Sequence, residues 1–342
     1  MSEEKSNNAK ITNLRAFAIL MVAFGHAIII FDPDWGIYHS NYHSDILQIV
    51  KHIINLIQMP LFFSISGYCF YYSTSKYAHS HAPSVKMFAR FVKGKLKRIM
   101  IPFLIIAFLW MLPLRLLSHY PNWQDKSILK VVGEILLCVD SGHLWYLFSL
   151  FIMFLVSIFI VIATQKTDIR NRLFILFFIL SIPVSVISVK IPVYFGISNA
   201  CKYFWSFFLG FLVNSQNLEK VLHKSRVILL IVSIILAFIN IVGSFNCTYL
   251  RIGVPLFSSI VFVMCFYSFN FDFSNPFIET ISKDSFGIYL FHSPLLYPLF
   301  YHGNNLPPFI FTIISFGVLG AVSIIITETI RKNRWLRICI GE

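Results

Sequence analysis

The first hydrophobic segment of the chain contains an arginine and a histidine, Arg15 and His26, eleven positions apart. Eleven steps of about 100° return a helix almost to the same face, roughly 16 Å further along its axis. Ionisable side chains are costly in hydrocarbon and normally face a bundle interior or a water-filled cavity. Histidine is the usual general base near neutral pH. The pair therefore predicts a catalytic stripe inside a membrane bundle, although Arg15 alone would also fit a basic flank and His26 alone a packing role.

A second histidine lies in a later hydrophobic segment, DSFGIYLFHSPLLYP. Ser285, Tyr289 and His292 are spaced four and three positions apart there, so they share one helix face. Pro294 follows and breaks the helix just after the histidine. Two histidines and an arginine in hydrophobic segments together indicate a polar bundle interior.

Two other segments contribute polar side chains. The run QMPLFFSISGYCFYY contains Ser66 between Pro60 and Gly67, which would loosen a helix beside a cavity; small residues of this kind also fit plain helix packing. The run DSGHLWYL places Asp140 and His143 together with aromatic rings, which fits either a sugar site or an aromatic belt at the membrane surface. The side chains that we expect to bind substrate or line a pore are Ser66, His143, Trp145, Tyr289 and His292.

A strongly basic run, KMFARFVKGKLKRIMIP, precedes the third hydrophobic segment. Seven lysines and arginines lie between positions 76 and 98, with no acidic residue among them. Such a cluster could anchor the chain to anionic lipid. It could equally bind a polyanion such as the phosphates of coenzyme A through charge-assisted hydrogen bonds. The predicted phosphate ligands are Lys93, Lys95, Lys97 and Arg98.

Apolar stretches long enough to cross a bilayer recur along the whole chain. Of its 342 residues, 57% are hydrophobic and 37 are phenylalanine, which excludes an ordinary soluble domain. We expect an all-α, polytopic membrane bundle of about ten transmembrane helices, formed by a single domain over residues 1–342 without a fused soluble domain. The segments are roughly 13–31, 46–73, 99–118, 143–163, 173–189, 200–214, 227–243, 253–270, 285–300 and 307–330.

Basic residues are distributed unevenly between alternate loops. Of 28 lysines and arginines, 21 lie on the side that holds both termini and four lie in the opposite loops. The positive-inside rule therefore predicts that both termini are cytoplasmic. Because the net charge of +13 mostly follows this topology, it does not indicate a nucleic-acid partner. The six cysteines are scattered, so they predict neither a disulfide framework nor a metal site.

These motifs, in this order, resemble the acyltransferase family 3 membrane proteins over nearly the whole chain. The motifs that carry the resemblance are Arg15 followed by His26, PLFFSISGY at 60–68, KRIMIP at 97–102, HLWYL at 143–147, YFWSFFLGFL at 203–212 and SFGIYLFHSPL at 285–295.

The resemblance implies transfer of an acyl group, usually acetyl, from cytoplasmic acyl-coenzyme A to a hydroxyl of a cell-surface or lipid-linked polysaccharide. It makes Arg15 and His26 the essential pair, with acetyl-coenzyme A as a donor substrate and no permanently bound cofactor or metal. It also implies a multi-pass protein of the bacterial cytoplasmic (inner) membrane, acting in the lipid bilayer. Some family members carry a fused periplasmic hydrolase-like domain that this sequence lacks, and its basic run has lysines where the family often has arginines.

Other functions fit parts of the same pattern. A transporter or flippase of lipid-linked sugars also has many spans and intramembrane charges, although no inverted repeat of broken helices is evident here. A glycan polymerase would more naturally carry a larger external loop. The sequence does not distinguish acetyl from succinyl, does not name the sugar hydroxyl or any protein partner, and does not decide whether His26 acts as a base or becomes acylated.

Overall fold

The computed structural model describes residues 2–38, 40–75, 84–164, 169–243, 247–270, 275–303 and 305–342. These residues form helices and short connections, and no strand occurs among them. Short 3₁₀ and π turns join or interrupt several of the helices. The α-helices are Ser2–Ala27 (α1), Asp45–Ser75 (α2), Ser84–Lys95 (α3), Ile101–Ile106 (α4), Leu112–Leu117 (α5), Ile128–Leu136 (α6), Trp145–Ala163 (α7), Arg170–Ile187 (α8), Ile197–Ser215 (α9), Leu218–Lys224 (α10), Arg226–Val242 (α11), Thr248–Ser268 (α12), Pro276–His292 (α13), Leu296–Gly303 (α14) and Pro308–Lys332 (α15).

The predicted all-α class is confirmed, and every predicted hydrophobic segment contains a helix. Within the described ranges, six helical segments are long and apolar enough to cross a membrane. A seventh results if α10 and α11, which meet at a 74° bend, form one broken span. The predicted count of ten spans is therefore not confirmed. Of the helices outside this set, α1 carries Lys10 and Arg15, and α13 is only 17 residues long.

The basic run before the third hydrophobic segment is itself helical. A single helical segment extends over Val85–Leu117, so the helix that contains the predicted span begins well before position 99. The helix forms here because Met87 and Phe91 bury one face while lysines, which are good helix formers, occupy the others. Lys76, which belongs to the same basic run, lies outside the described residues.

Two π-helical turns interrupt this long helix, at Leu96–Met100 and Ala107–Met111. Such turns contain one extra residue and locally change which side chains face the bundle. The first of them contains Arg98, the last residue of the basic run.

The centre of the bundle consists of α1, α2, α9 and α13, with α1 packed between α2 and α13. Helices α2 and α9 touch through their backbones. A Cβ on Gly67 would lie 1.9 Å from the carbonyl oxygen of Phe207, and one on Gly210 would lie 1.8 Å from that of Ser64. Only glycine fits at both positions, which is the small-residue packing expected between membrane helices. This contact fixes α2, one wall of the interior, against the rest of the bundle.

Candidate functional site

Two cavities in the described part of the bundle each receive one of the sequence-predicted pair, Arg15 and His26, from α1. The first, which we name the Arg15 cavity, has a volume of about 350 Å³. Side chains from α1, α2, α7 and α13 line it, together with the basic end of α3 and the C-terminal segment. Its polar and charged lining residues are Arg15, Ser66, Cys69, Ser73, Lys95, Arg98, Tyr146, Lys283, Ser285, Tyr289 and Glu342.

Cations in the Arg15 cavity largely lack acidic partners. Arg15 contacts the Sγ atom of Cys69 at 3.6 Å, and the ammonium of Lys95 lies 3.7 Å from the ring centre of Phe154. Among the described residues, no carboxylate forms an ion pair with Arg15, Lys95 or Arg98. The cavity therefore presents uncompensated positive charge, which is suited to a phosphate-bearing ligand.

Two further charged residues line this cavity, Glu342 and Lys283, and each is paired with a residue outside the cavity lining. The carboxylate of Glu342 accepts hydrogen bonds from Arg331 at 2.9 to 3.1 Å. Lys283 donates to Glu328 at 2.9 Å. Neither of these pairs reduces the charge of the three unpaired cations.

The second cavity, which we name the His26 cavity, has a volume of about 520 Å³. It lies at the opposite end of the bundle, where α1 ends, and is bounded by the connections around α6 and by the start of α14. Its polar and aromatic lining residues are His26, Trp35, Arg115, Tyr120, Asn122, Lys126, Glu134, Asp140, Ser141, His143, Trp145, Asn199, Ser293 and Tyr297.

The hydrogen bonds around His26 define which of its ring nitrogens carries the proton. Nδ1 of His26 lies 3.0 Å from the carbonyl oxygen of Val22 and 3.1 Å from Nε2 of His292. Nδ1 of His292 lies 2.8 and 2.9 Å from the carbonyl oxygens of Ile288 and Tyr289. Carbonyl oxygens only accept hydrogen bonds, so both Nδ1 atoms are assigned the proton.

This assignment leaves a basic nitrogen on His26. The Nε2 atom of the neutral His26 ring is unprotonated, and the ring is partly exposed and lines the cavity. His292 is fully buried, and its Nε2 is available to accept from Nδ1 of His26. Such an arrangement holds one imidazole in the tautomer that can remove a proton from a hydroxyl.

Aromatic and histidine rings separate the two cavities. The ring of Tyr289 borders the Arg15 cavity, and its hydroxyl donates to the carbonyl oxygen of His143, a residue of the His26 cavity, at 2.5 Å. The ring centres of His143 and His292 are 5.4 Å apart, and those of Tyr146 and Tyr289 are 5.3 Å apart. Arg15 and His26 therefore face different cavities across this partition instead of sharing one path.

Four of the five side chains predicted to bind substrate or line a pore divide between the two cavities, whereas the fifth, His292, is fully buried and lines neither. Ser66 and Tyr289 line the Arg15 cavity, and the hydroxyl of Ser66 bonds to that of Tyr146 at 3.1 Å. His143 and Trp145 line the His26 cavity. Of the four predicted phosphate ligands, Lys95 and Arg98 line the Arg15 cavity. Lys93 and Lys97 are exposed and do not line it.

The sequence analysis assigned Arg115 no role beyond a position within a span, yet this residue organises one wall of the His26 cavity. Its guanidinium donates to the Asp140 carboxylate at 3.0 Å and to the Tyr297 hydroxyl at 2.7 Å. It also lies 4.1 Å from the ring centre of Tyr120 and 4.9 Å from that of Trp123. Its position inside a hydrophobic segment could have predicted this role, because an arginine in such a segment rarely faces lipid.

A lysine near His26 was also missed. Lys51 on α2 is 3% exposed, and its ammonium lies 3.6 Å from where a Cβ of Gly25, the residue before His26, would be. It is not among the residues that line the His26 cavity. Its position within a predicted membrane span was again the sequence feature that could have revealed it.

Cys138 borders the His26 cavity but is poorly suited to act as an acyl carrier. Burial raises the pKa of this thiol to about 11. The thiolate, which is the reactive form, is therefore scarce near neutral pH. Within the described ranges, no three histidine, cysteine or acidic side chains are grouped as metal ligands.

Comparison with known protein families identifies the class of protein that this fold represents. The model of acyltransferase family 3, described as an acyltransferase domain, matches residues 8–328. The chain belongs to this family and is therefore a multi-pass membrane protein of the acyltransferase class. No curated protein and no solved structure gave a significant match.

Proposed function

We propose that the protein is a membrane O-acyltransferase that moves an acetyl group from acetyl-coenzyme A to a hydroxyl of a cell-surface or lipid-linked polysaccharide. The observation that carries the proposal is the pairing of two cavities across a thin partition. One cavity holds unpaired cations, and the other holds a histidine whose Nε2 is free to accept a proton.

The donor enters the Arg15 cavity in this proposal. Its phosphates bind Lys95, the last residue of α3, and Arg98, which lies in the first π-helical turn; both side chains line the cavity. Its thioester arm extends past Arg15 towards Tyr289. The acyl carbonyl reaches His26 only when the partition of Tyr289 and His143 opens, because the cavities are separate in this structure.

The acceptor hydroxyl lies in the His26 cavity. Nε2 of His26 removes the hydroxyl proton while the oxygen attacks the thioester carbonyl carbon. The tetrahedral intermediate then collapses, the carbon–sulfur bond breaks, and the coenzyme A thiolate takes the proton from the imidazolium. His292 accepts from Nδ1 of His26 throughout and so stabilises the ring in its charged form. Transient acylation of Nε2 is an alternative route with the same residues.

The proposed orientation places the Arg15 cavity towards the bacterial cytoplasm, with both termini on that side of the cytoplasmic membrane. Two features support it. Lys95, Arg98 and Lys283, from segments that the charge distribution assigns to the inside, all border the Arg15 cavity. The connections assigned to the outside, around Trp35 and Asn122, border the His26 cavity.

Mass spectrometry of surface glycans tests the proposal directly. Cells that produce the protein should carry glycans heavier by one acyl group than cells without it, and the purified protein should consume acetyl-coenzyme A when given those glycans. Glycans that reach the surface unacylated, but in larger amount, would contradict the proposal and indicate a flippase instead.

A further inference from the structure

Resting on the proposed function, we infer that the acceptor sugar which enters the His26 cavity is electrically neutral, a hexose or N-acetylhexosamine, and is not a uronic or sialic acid. The inference comes from the charged groups that line this cavity. Two cations and two carboxylates are present, and each cation is already paired with one of the carboxylates.

The first pair cannot bind a substrate carboxylate. Arg115 is 1% exposed, and it donates to the Asp140 carboxylate and to the Tyr297 hydroxyl. Aromatic rings lie against its guanidinium, with those of Tyr120 and Trp123 having their centres 4.1 and 4.9 Å away. Its terminal nitrogens therefore already have partners, and its Nε atom, which has none among the described residues, is buried and out of reach of a substrate.

Asp140 is held as firmly as its partner. One carboxylate oxygen accepts from Arg115 and, at 3.3 Å, from the hydroxyl of Tyr120. The other accepts from the indole of Trp123 at 3.0 Å. A substrate carboxylate could replace Asp140 only by breaking these three hydrogen bonds and leaving the Asp140 carboxylate without partners in a partly desolvated site, which is unfavourable.

The second pair, Lys126 and Glu134, is more accessible to solvent, but its cation also already has a carboxylate partner. The ammonium of Lys126 donates to the Glu134 carboxylate at 2.6 Å, and the two side chains are 26% and 16% exposed. An anionic sugar would have to displace Glu134 or lie near two carboxylates without a cation of its own. Both arrangements are unfavourable in a partly desolvated cavity.

Neutral groups remain for the sugar. Asn199 and Ser293 line the cavity and make no side-chain hydrogen bond within the described part of the chain. Asn122 contributes an exposed amide, and the indole rings of Trp35 and Trp145 offer flat apolar surfaces. Amides, hydroxyls and aromatic rings suit the hydroxyls and apolar faces of an uncharged pyranose.

The decisive experiment locates the acyl group that depends on this protein. Glycans from cells with and without the protein are hydrolysed or fragmented, and the acylated residue is identified by mass spectrometry. An acyl group on a neutral hexose or N-acetylhexosamine is the expected result, and one on a uronic or sialic acid would overturn the inference while leaving the proposed function intact. If no glycan gains an acyl group, the proposed function itself fails, and the inference fails with it.

A matched pair of acceptors measures the charge selectivity. The purified protein is given the methyl glycosides of the uronic acid and of the uronamide that correspond to the identified sugar, which differ in charge but hardly in shape. We expect kcat/KM at least ten times higher for the amide. A ratio of one or less would overturn the inference.

Variants of Lys126 and Glu134 test whether this pair determines the amide-to-acid ratio of kcat/KM. Glu134→Gln, which leaves Lys126 without its partner, should bring the amide-to-acid ratio at least threefold closer to one. The control Lys126→Met with Glu134→Gln, which removes both charges, should leave the ratio as it is in the unmodified protein. An unchanged ratio in Glu134→Gln, or the same loss in both variants, would overturn the assignment of selectivity to this pair.

Discussion

The Arg15 cavity and the His26 cavity are built by the same central helices but differ in whether their cations have acidic partners. In the Arg15 cavity, Arg15, Lys95 and Arg98 have no carboxylate partner within the described chain. In the His26 cavity, Arg115 and Lys126 are both paired. Cations without an acidic partner in a partly desolvated site are costly to maintain. The group of three that lines the Arg15 cavity indicates that this end is completed by an anionic ligand, whereas the two cations that line the His26 cavity are already paired.

The histidines differ between the two regions as well. His26, His143 and His292 all lie in or against the partition on the side of the His26 cavity, and none of them lines the Arg15 cavity. Binding of the donor and proton transfer are therefore assigned to different ends of one bundle. The variants below affect one end at a time.

The largest effect is expected from His26→Ala. General base catalysis typically contributes about 10²- to 10⁴-fold to a rate, and turnover should fall by that factor. The Michaelis constant for acetyl-coenzyme A should stay within about twofold, because the Arg15 cavity is unchanged. Steady-state kinetics on purified protein, with its amount in the membrane as the control, provide the measurement. Turnover close to that of the unmodified protein would remove His26 from the mechanism.

A smaller effect on the same end is expected from His292→Phe, which keeps an aromatic ring but removes the acceptor for Nδ1 of His26. A hydrogen bond to a charged group contributes about 1.5–3 kcal/mol, so turnover should fall roughly 10- to 100-fold. Donor affinity should again be unchanged. If His292 only fills space, this variant will keep nearly full turnover, and the tautomer assignment will be wrong.

The donor end offers a matched comparison within one basic run. Lys95→Gln with Arg98→Gln should raise the Michaelis constant for acetyl-coenzyme A about tenfold or more, with little change in turnover at saturation. Lys93→Gln with Lys97→Gln removes the same charge from the same helix but from exposed positions outside the cavity. This control should shift the constant less than about twofold.

Equal effects of the two double variants would contradict the assignment of a phosphate site to the Arg15 cavity. They would indicate that the basic run attracts the donor, or anionic lipid, by its overall charge. The measurement is made in detergent, where anchoring to anionic lipid no longer contributes.

The sequence predicted the helical fold class and several chemically important side chains, because their signals are local. An arginine and a histidine in one hydrophobic segment, and a basic run without acids, are visible without any tertiary information. The contact between His26 and His292 joins residues 266 positions apart, so no spacing rule could reveal it. Arg115 was underestimated for the same reason, since its partners Asp140 and Tyr297 lie 25 and 182 positions away.

The sequence also could not show that the polar stripe of α1 serves two cavities. Helical periodicity places Arg15 and His26 on one face, but it does not show what packs against that face between them. Here the rings of Tyr146, Tyr289 and His143 fill the gap. The selection of Lys95 and Arg98 from the basic run depends in the same way on tertiary packing, because a π-helical turn changes the phase of the helix at that point.

The central claim is that donor and acceptor occupy opposite ends of the bundle and react across the partition. The purified protein in sealed liposomes tests it, with acetyl-coenzyme A and an oligosaccharide acceptor, both impermeant, placed on chosen sides. With the donor enclosed and the acceptor outside, we expect acylation by the molecules whose Arg15 cavity faces the lumen. With both substrates outside, we expect none, whichever way each molecule is inserted. Acylation at equal rates with both substrates on the same side would contradict the account.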